Sequence, residues 1–305
     1  MSTDRPVLGI FLMFGFCVVA PIGDAMAKIL GSSVPLGQLL LVRFGLQALI
    51  LIPIVILAGR VWRMRGRIFY LALLRTLLHI VGIGAMFTSL KYLPLADAIA
   101  IAFVMPFIML LLGRFVLQEE VGTRRLVACI VGFIGTLLVI QPSFYAVGWP
   151  ALLPLVVAVA FALFILVTRQ LARRTDPIGL QAVNGVMATV ILLPLLLLGD
   201  AFGWPVLTMV QPNLSEWVLL LAVGVLGTGA HLLMTWSLRF APASTLAPMQ
   251  YLEIPVATAI GWIVFRDLPN ALAGLGICIT VGAGLYVIWR EQAMARRAHA
   301  AQSRV

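Results

Sequence analysis

The sequence predicts an all-α membrane protein of ten transmembrane helices, arranged as two inverted five-helix repeats. Three observations predict it. Hydrophobic residues make up 62% of the 305-residue chain and charged residues only 10%, where a soluble domain carries about 25% charged. Basic residues crowd into alternate loops, and a six-residue motif occurs once in each half. A water-soluble fold of this length would expose large apolar patches, whereas lipid lets apolar side chains face outward. A spanning helix takes roughly 20 apolar residues, so ten spans and short loops use nearly the whole chain and leave no room for a soluble domain.

The spans follow from apolar runs and the polar breaks between them. The first run, 7–30, ends at Gly-Ser-Ser-Val-Pro over 31–35. It is too long, and too polar at its end, for a cleaved signal peptide. The second, 35–58, stops at the arginine-rich stretch 60–67, and the third occupies 68–90. A fourth over 95–115 is closed by the charged segment 118–125, and the fifth covers 126–141. The sixth, 149–168, stops at the basic break 169–176, and spans 177–198, 216–238, 244–265 and 271–289 complete the set. Residues 291–305 read as a basic tail.

Loop charge fixes the expected orientation. With the N-terminus inside, fifteen basic residues fall on the cytoplasmic side, from Arg5 through Arg60, Arg63, Arg65 and Arg67 to Arg304. Only Lys91 and Arg266 fall outside. Both termini are therefore expected in the cytoplasm, and the net charge of +10 is a sorting signal rather than a nucleic-acid footprint. The basic loops also lack the interleaved aromatics that single strands stack on. Trp62, Trp149, Trp204, Trp217, Trp236 and Trp289 sit near span ends, where amphipathic rings prefer to be.

The repeat is short but ordered. Ser89-Leu90-Lys91-Tyr92-Leu93-Pro94 matches Ser237-Leu238-Arg239-Phe240-Ala241-Pro242. Each copy is followed by a proline (Pro106, Pro255), a glycine (Gly113, Gly261) and an acidic residue (Glu119, Asp267). Five spans per half is an odd number, so the second half enters the membrane upside down. Inverted repeats alternate access to a central site in many secondary transporters; duplication can also serve only to build a stable bundle. The repeats are expected over 1–145 and 146–290.

These residues resemble the drug/metabolite transporter superfamily, in its ten-span group with two EamA-type repeats. The resemblance covers nearly the whole chain. It rests on Lys28, Arg43-Phe44, the stretch 89–98 with Pro106 and Glu119, and the stretches 237–244 and 250–269. Phe14-Gly15 stands where the family commonly has Trp-Gly. Arg75, His79 and Gln250-Tyr251-Glu253 resemble the subgroup of S-adenosylmethionine and riboflavin importers. The resemblance implies the fold more firmly than the cargo.

A charge at mid-bilayer costs roughly 2.5–3.5 kcal/mol on insertion scales, so each charge within a span needs a reason. Asp24 and Lys28, spaced i, i+4, share a helix face and can pair. Arg43 lies about 12 Å deep at 1.5 Å per residue, near the depth of Asp24. The three form an outer cluster with a gating or a structural role. A second cluster joins Arg75, His79, His231 and Glu253 at depths of roughly 10–17 Å from the cytoplasmic side. Pro248 and Pro255 bracket Gln250, Tyr251 and Glu253. Interior prolines free helix carbonyls, and a broken helix within a membrane is tolerated where it is buried or lines a wet cavity. These six, Arg75, His79, His231, Gln250, Tyr251 and Glu253, are the expected substrate-binding residues. Gly224, Gly227 and Gly229 permit either flexing or close packing. Asp97 reads as an interfacial or capping residue, and Glu119 and Glu120 as solvated loop charges.

Cys17, Cys129 and Cys278 lie far apart in apolar runs and read as packing residues. No metal site, cofactor or nucleophile motif is present. The expected partners are a small organic solute, the bilayer and protons, with no nucleic acid, in a monomer or homodimer of the inner membrane. A membrane-embedded enzyme or a passive channel using the same buried cluster are the competing readings.

Overall fold

The structure, a computed structural model, describes residues 6–105, 107–108, 112, 123–172, 175–240, 246 and 250–302. All regular structure among them is helical. In the first half α1 spans Pro6–Leu30, α2 Leu36–Leu57, α3 Arg67–Ser89, α4 Leu95–Ala102 and α5 Thr123–Val147. A 3-10 turn, Trp149–Leu152, leads into α6, Leu153–Ala172. Then come α7 (Pro177–Ala201), α8 (Leu214–Phe240), α9 (Glu253–Ile260, continued as a π-helical turn over Gly261–Phe265) and α10 (Ala271–Gln302). Pro106, Gly113, Glu119, Glu120, Pro242 and Pro248 lie outside the described residues.

Among the described residues, seven helices are long and apolar enough to cross a membrane, and two shorter apolar helices cover Glu253–Phe265 and Ala271–Tyr286. Their outer faces are apolar: Leu49 is 69% exposed and Val190 65%. Such faces are stable in lipid and not in water. This is a multi-pass membrane protein. Two helices run well past their expected ends. Helix α5 runs on to Val147, past Pro142, and α10 runs unbroken through the basic segment to Gln302. The lysine-free, arginine- and alanine-rich stretch 290–302 favours helix, so the tail extends α10.

Local chemistry starts the helices. Asp176 accepts from the amides of Ile178 and Gly179, both at 3.0 Å, ahead of Pro177 in the first turn of α7; this is a side-chain cap. Asn213 and Glu216 cap α8 reciprocally, Glu216 N to Asn213 Oδ1 at 3.0 Å and Asn213 N to Glu216 Oε2 at 2.8 Å, the geometry of a capping box. Asn270 accepts from Ala273 N at the start of α10.

The helices pair in a pattern. The most extensive contacts join α1 to α8, α3 to α6, α2 to α7 and α5 to α10, with a smaller one between α4 and α9. Adding five to each helix number turns the α1–α8 contact into α6–α3 and returns each of the other three to itself. The secondary contacts obey the same rule, α2–α8 with α7–α3 and α1–α9 with α6–α4. Small residues allow a close seam: a Cβ on Gly276 of α10 would stand 2.5 Å from the carbonyl oxygen of Gly135 on α5. Close backbone approach of this kind gives dispersion where lipid supplies no hydrophobic drive between helices.

Helices α4 and α9 both adjoin breaks. A turn at Phe103 and Val104 ends α4, and a turn at Tyr251 and Leu252 precedes α9. The two turns are 148 residues apart, the spacing of the Ser-Leu-Lys and Ser-Leu-Arg motifs. The rings of Phe103 and Tyr251 meet with centroids 5.2 Å apart, so the breaks face one another at the centre of the bundle.

Candidate functional site

A cavity opens beside these breaks. It takes its lining from α1, α2, α3, α4, α6 and α8 and from Gln250 and Glu253. The walls are apolar, with rings from Phe16, Phe87, Phe103 and Phe161. Five lining side chains carry charge or hydrogen-bonding groups: Asp24, Arg43, His231, Gln250 and Glu253. An apolar pocket with a few convergent polar groups is the general form of a small-molecule site.

The lining draws together residues that depth along each helix had separated. Asp24 and Arg43, expected in an outer cluster, face the same cavity as His231 and Glu253. Lys28 does not pair with Asp24. Its ammonium group donates to Leu93 O at 2.8 Å and pairs with Asp267 at 3.3 Å, over the Phe265 ring. One helical turn separates Lys28 from Asp24, and the longer side chain reaches the loops after α3 and α9. The π-helical turn and the left-handed Arg266 (φ 60°) bring Asp267 to it. Asp97, in the first turn of α4, is buried and accepts from Ser143 Oγ at 3.4 Å.

Arg75 and His79 lie behind the wall. Arg75 is fully buried, and its donors are taken by neutral oxygens. Nε donates to Thr168 Oγ1 at 2.9 Å and Nη1 to Asn184 Oδ1 at 3.1 Å, while Nη2 donates to Gln181 Oε1 at 3.4 Å. The guanidinium also sits 4.4 Å from the Phe164 ring centroid. Gln47 donates to Gln181 O at 2.7 Å. Arginine only donates, so its bond to Asn184 Oδ1 turns the Asn184 amide nitrogen toward His79 Nδ1, 3.1 Å away. Nδ1 then accepts, which makes His79 neutral with its proton on Nε2. The His79 ring stacks on His231 at 4.4 Å and 19°, and His231 faces the cavity. Arg75 therefore reaches the cavity through Asn184, His79 and His231. It does not meet Glu253: the ion pairs among the described residues are Lys28–Asp267 and Arg60–Asp176.

Tyr251 is buried behind Phe103 and against Gly284 of α10, rather than at the cavity surface. Gln250 borders the cavity and approaches Met13 Sδ at 4.0 Å. Two of the glycines on α8 serve packing. Gly224 lies against Leu46, and a Cβ on Gly227 would come 2.9 Å from Arg43 Nε. The neutral members of the network, Gln47, Thr168, Gln181 and Asn184, escaped the sequence reading. Their signal was available, since Gln181 and Asn184 sit three residues apart, on one face, in an otherwise apolar span.

A multi-pass helical bundle, with mated helix contacts and a sparsely polar cavity, is a build suited to membrane transport. The comparisons name the family: the chain belongs to the EamA-like transporter family, which matches it twice, over residues 7–141 and 148–290. It is not read as an enzyme, in keeping with that family. Among similar proteins is the riboflavin transporter of Brucella anthropi, 29% identical over 75% of this chain and 80% of its own. The S-adenosylmethionine uptake transporter of Rickettsia prowazekii is 24% identical over 93% and 94%. The pseudopaline exporter of Pseudomonas aeruginosa is 24% identical over 92% of each. A solved crystal structure covers 98% of this chain and 99% of its own at 17% identity and a TM-score of 0.63, a likeness of fold alone.

Proposed function

We propose that the chain is a secondary transporter that moves a small organic metabolite across the inner membrane by alternating access. In this reading ten spans form two inverted repeats, 1–145 and 146–290, with both termini in the cytoplasm. The observation that carries it is the cavity lined from helices of both halves, beside the matched breaks at Phe103 and Tyr251. Two similar halves that exchange conformations would open such a cavity to each side in turn. The cargo is vitamin-like, nucleoside-like or amino-acid-like, in keeping with the relatives that move riboflavin or S-adenosylmethionine. Relatives work in both directions, one as an uptake transporter and one as an exporter. Substrate contacts fall to His231, Gln250 and Glu253, with Arg75, His79 and Tyr251 holding the wall that presents them.

Glu253 is the proposed coupling group. It lies in the cavity near Asp24, and a proton bound there drives transport only if it favours one access state. Proteoliposome uptake with and without an imposed pH gradient tests this. The gradient is expected to raise accumulation in the wild type, and Glu253→Gln to abolish the rise while leaving passive exchange intact. A wild type indifferent to the gradient would make the carrier a facilitator and Glu253 a ligand only.

A further inference from the structure

Two cavity-lining groups have hydrogen-bonding atoms that the protein leaves unused. Arg43 is 3% exposed and its Nη1 is buried with no hydrogen-bond partner among the described residues. Its guanidinium rests against the Gly227 backbone and 4.9 Å from the Phe44 ring centroid, and it forms no ion pair within 4.0 Å among the described residues. His231 is 5% exposed, and both its ring nitrogens are buried without partners. Buried polar atoms are almost always satisfied, and the exceptions call for an explanation. The carboxylate whose charge acts on Arg43 is Asp24, from beyond ion-pair distance, and a charge held without a contacting partner is costly to bury. A structural arginine would be arranged as Arg75 is, with its donors taken by protein oxygens. Arg43 instead borders the cavity with Nη1 unpaired, its Nε and Nη2 edge against the Gly227 backbone and the Phe44 ring beside it.

We propose that Arg43 and His231 form an acceptor-binding subsite that takes the carboxylate of an amphoteric, ring-bearing solute. The solute's cationic or donor end faces Asp24 and Glu253, and its ring lies among the phenylalanines of the wall. This assignment rests on the carrier reading and narrows its substrate class. The guanidinium fork suits a carboxylate, which it can hold through two N–H groups. Asp24 and Glu253, which also line the cavity, are the acceptors that call for a cationic or donor end on the same solute. A purely anionic solute would leave them unmatched, and a purely cationic one would leave Arg43 so.

The probe is S-adenosylmethionine, compared with its decarboxylated form and with riboflavin, on the full chain in proteoliposomes. Binding is read by competition and flux by saturable exchange. S-adenosylmethionine is expected to bind the wild type at least ten-fold more tightly than the decarboxylated form. Arg43→Gln should remove that difference, Arg43→Lys should restore part of it, and His231→Gln should reduce it. Membrane abundance and monodisperse elution report folding, and Arg43→Lys decides if Arg43→Gln does not fold. Equal binding of the two forms by the wild type overturns the subsite, as does an equal loss of both in Arg43→Gln. Saturable exchange of riboflavin alone keeps the carrier reading and overturns this one. If no solute exchanges saturably, the carrier reading fails and the subsite with it.

Discussion

At the scale of single residues, Arg75 shows how a membrane protein can hold a charge without a counter-ion. Three neutral oxygens and an aromatic face replace water around its guanidinium. The arrangement is directional. Because arginine cannot accept, Asn184 has one orientation, His79 has one tautomer, and the ring stacked on His231 is fixed. Arg75→Ala would leave buried acceptors unpaired and is expected to destabilise the folded protein on the order of 3 kcal/mol. Arg75 acts on the cavity only through its neighbours, so stability alone is not the informative readout. Nitrogen-15 spectra of the His79 ring should show a protonated Nε2 and an unprotonated Nδ1 in the wild type, and a mixture in Asn184→Ala. A mixture already present in the wild type would break the proposed chain from Arg75 to the cavity.

At the scale of elements, the glycine seam between α5 and α10 and the two breaks set the geometry. Where α5 meets α10, the Gly276 α-carbon faces the carbonyl of Gly135, with no flexible side chain to give way. Gly276→Ala should cost about 1–3 kcal/mol by overpacking. Gly274→Ala, two residues away on the opposite face with nothing within 4 Å, should be neutral or stabilise by roughly 0.5–1 kcal/mol through lost backbone entropy. Melting of the two purified variants compares them directly, and equal effects would contradict the seam. The helices themselves were legible in sequence because apolar length and loop charge are one-dimensional signals. The site was legible only in part. Depth along a helix placed His79 beside His231 correctly, but it does not record which way a side chain faces. Asp24 and Arg43 were therefore assigned to an outer cluster with Lys28, when they share the cavity with Glu253. Lys28 instead reaches Asp267, across 239 residues of sequence, through a π-helical turn that no local pattern announces.

At the scale of the whole molecule, the helix contacts fall into mated pairs, α1–α8 with α6–α3 and α2–α8 with α7–α3. If the halves can exchange conformations, a solute in the cavity between them meets one side of the membrane and then the other. Such a carrier must return before it can work again, and a solute on the far side speeds that return. Counterflow measures this most directly. Proteoliposomes loaded with unlabelled riboflavin or S-adenosylmethionine are diluted into a trace of the same labelled solute. Alternating access predicts saturable uptake that transiently overshoots equilibrium and is faster than into empty vesicles. Uptake linear in concentration and indifferent to the internal solute would mean a channel, and recovery of a chemically altered solute would mean an enzyme; either result contradicts the carrier.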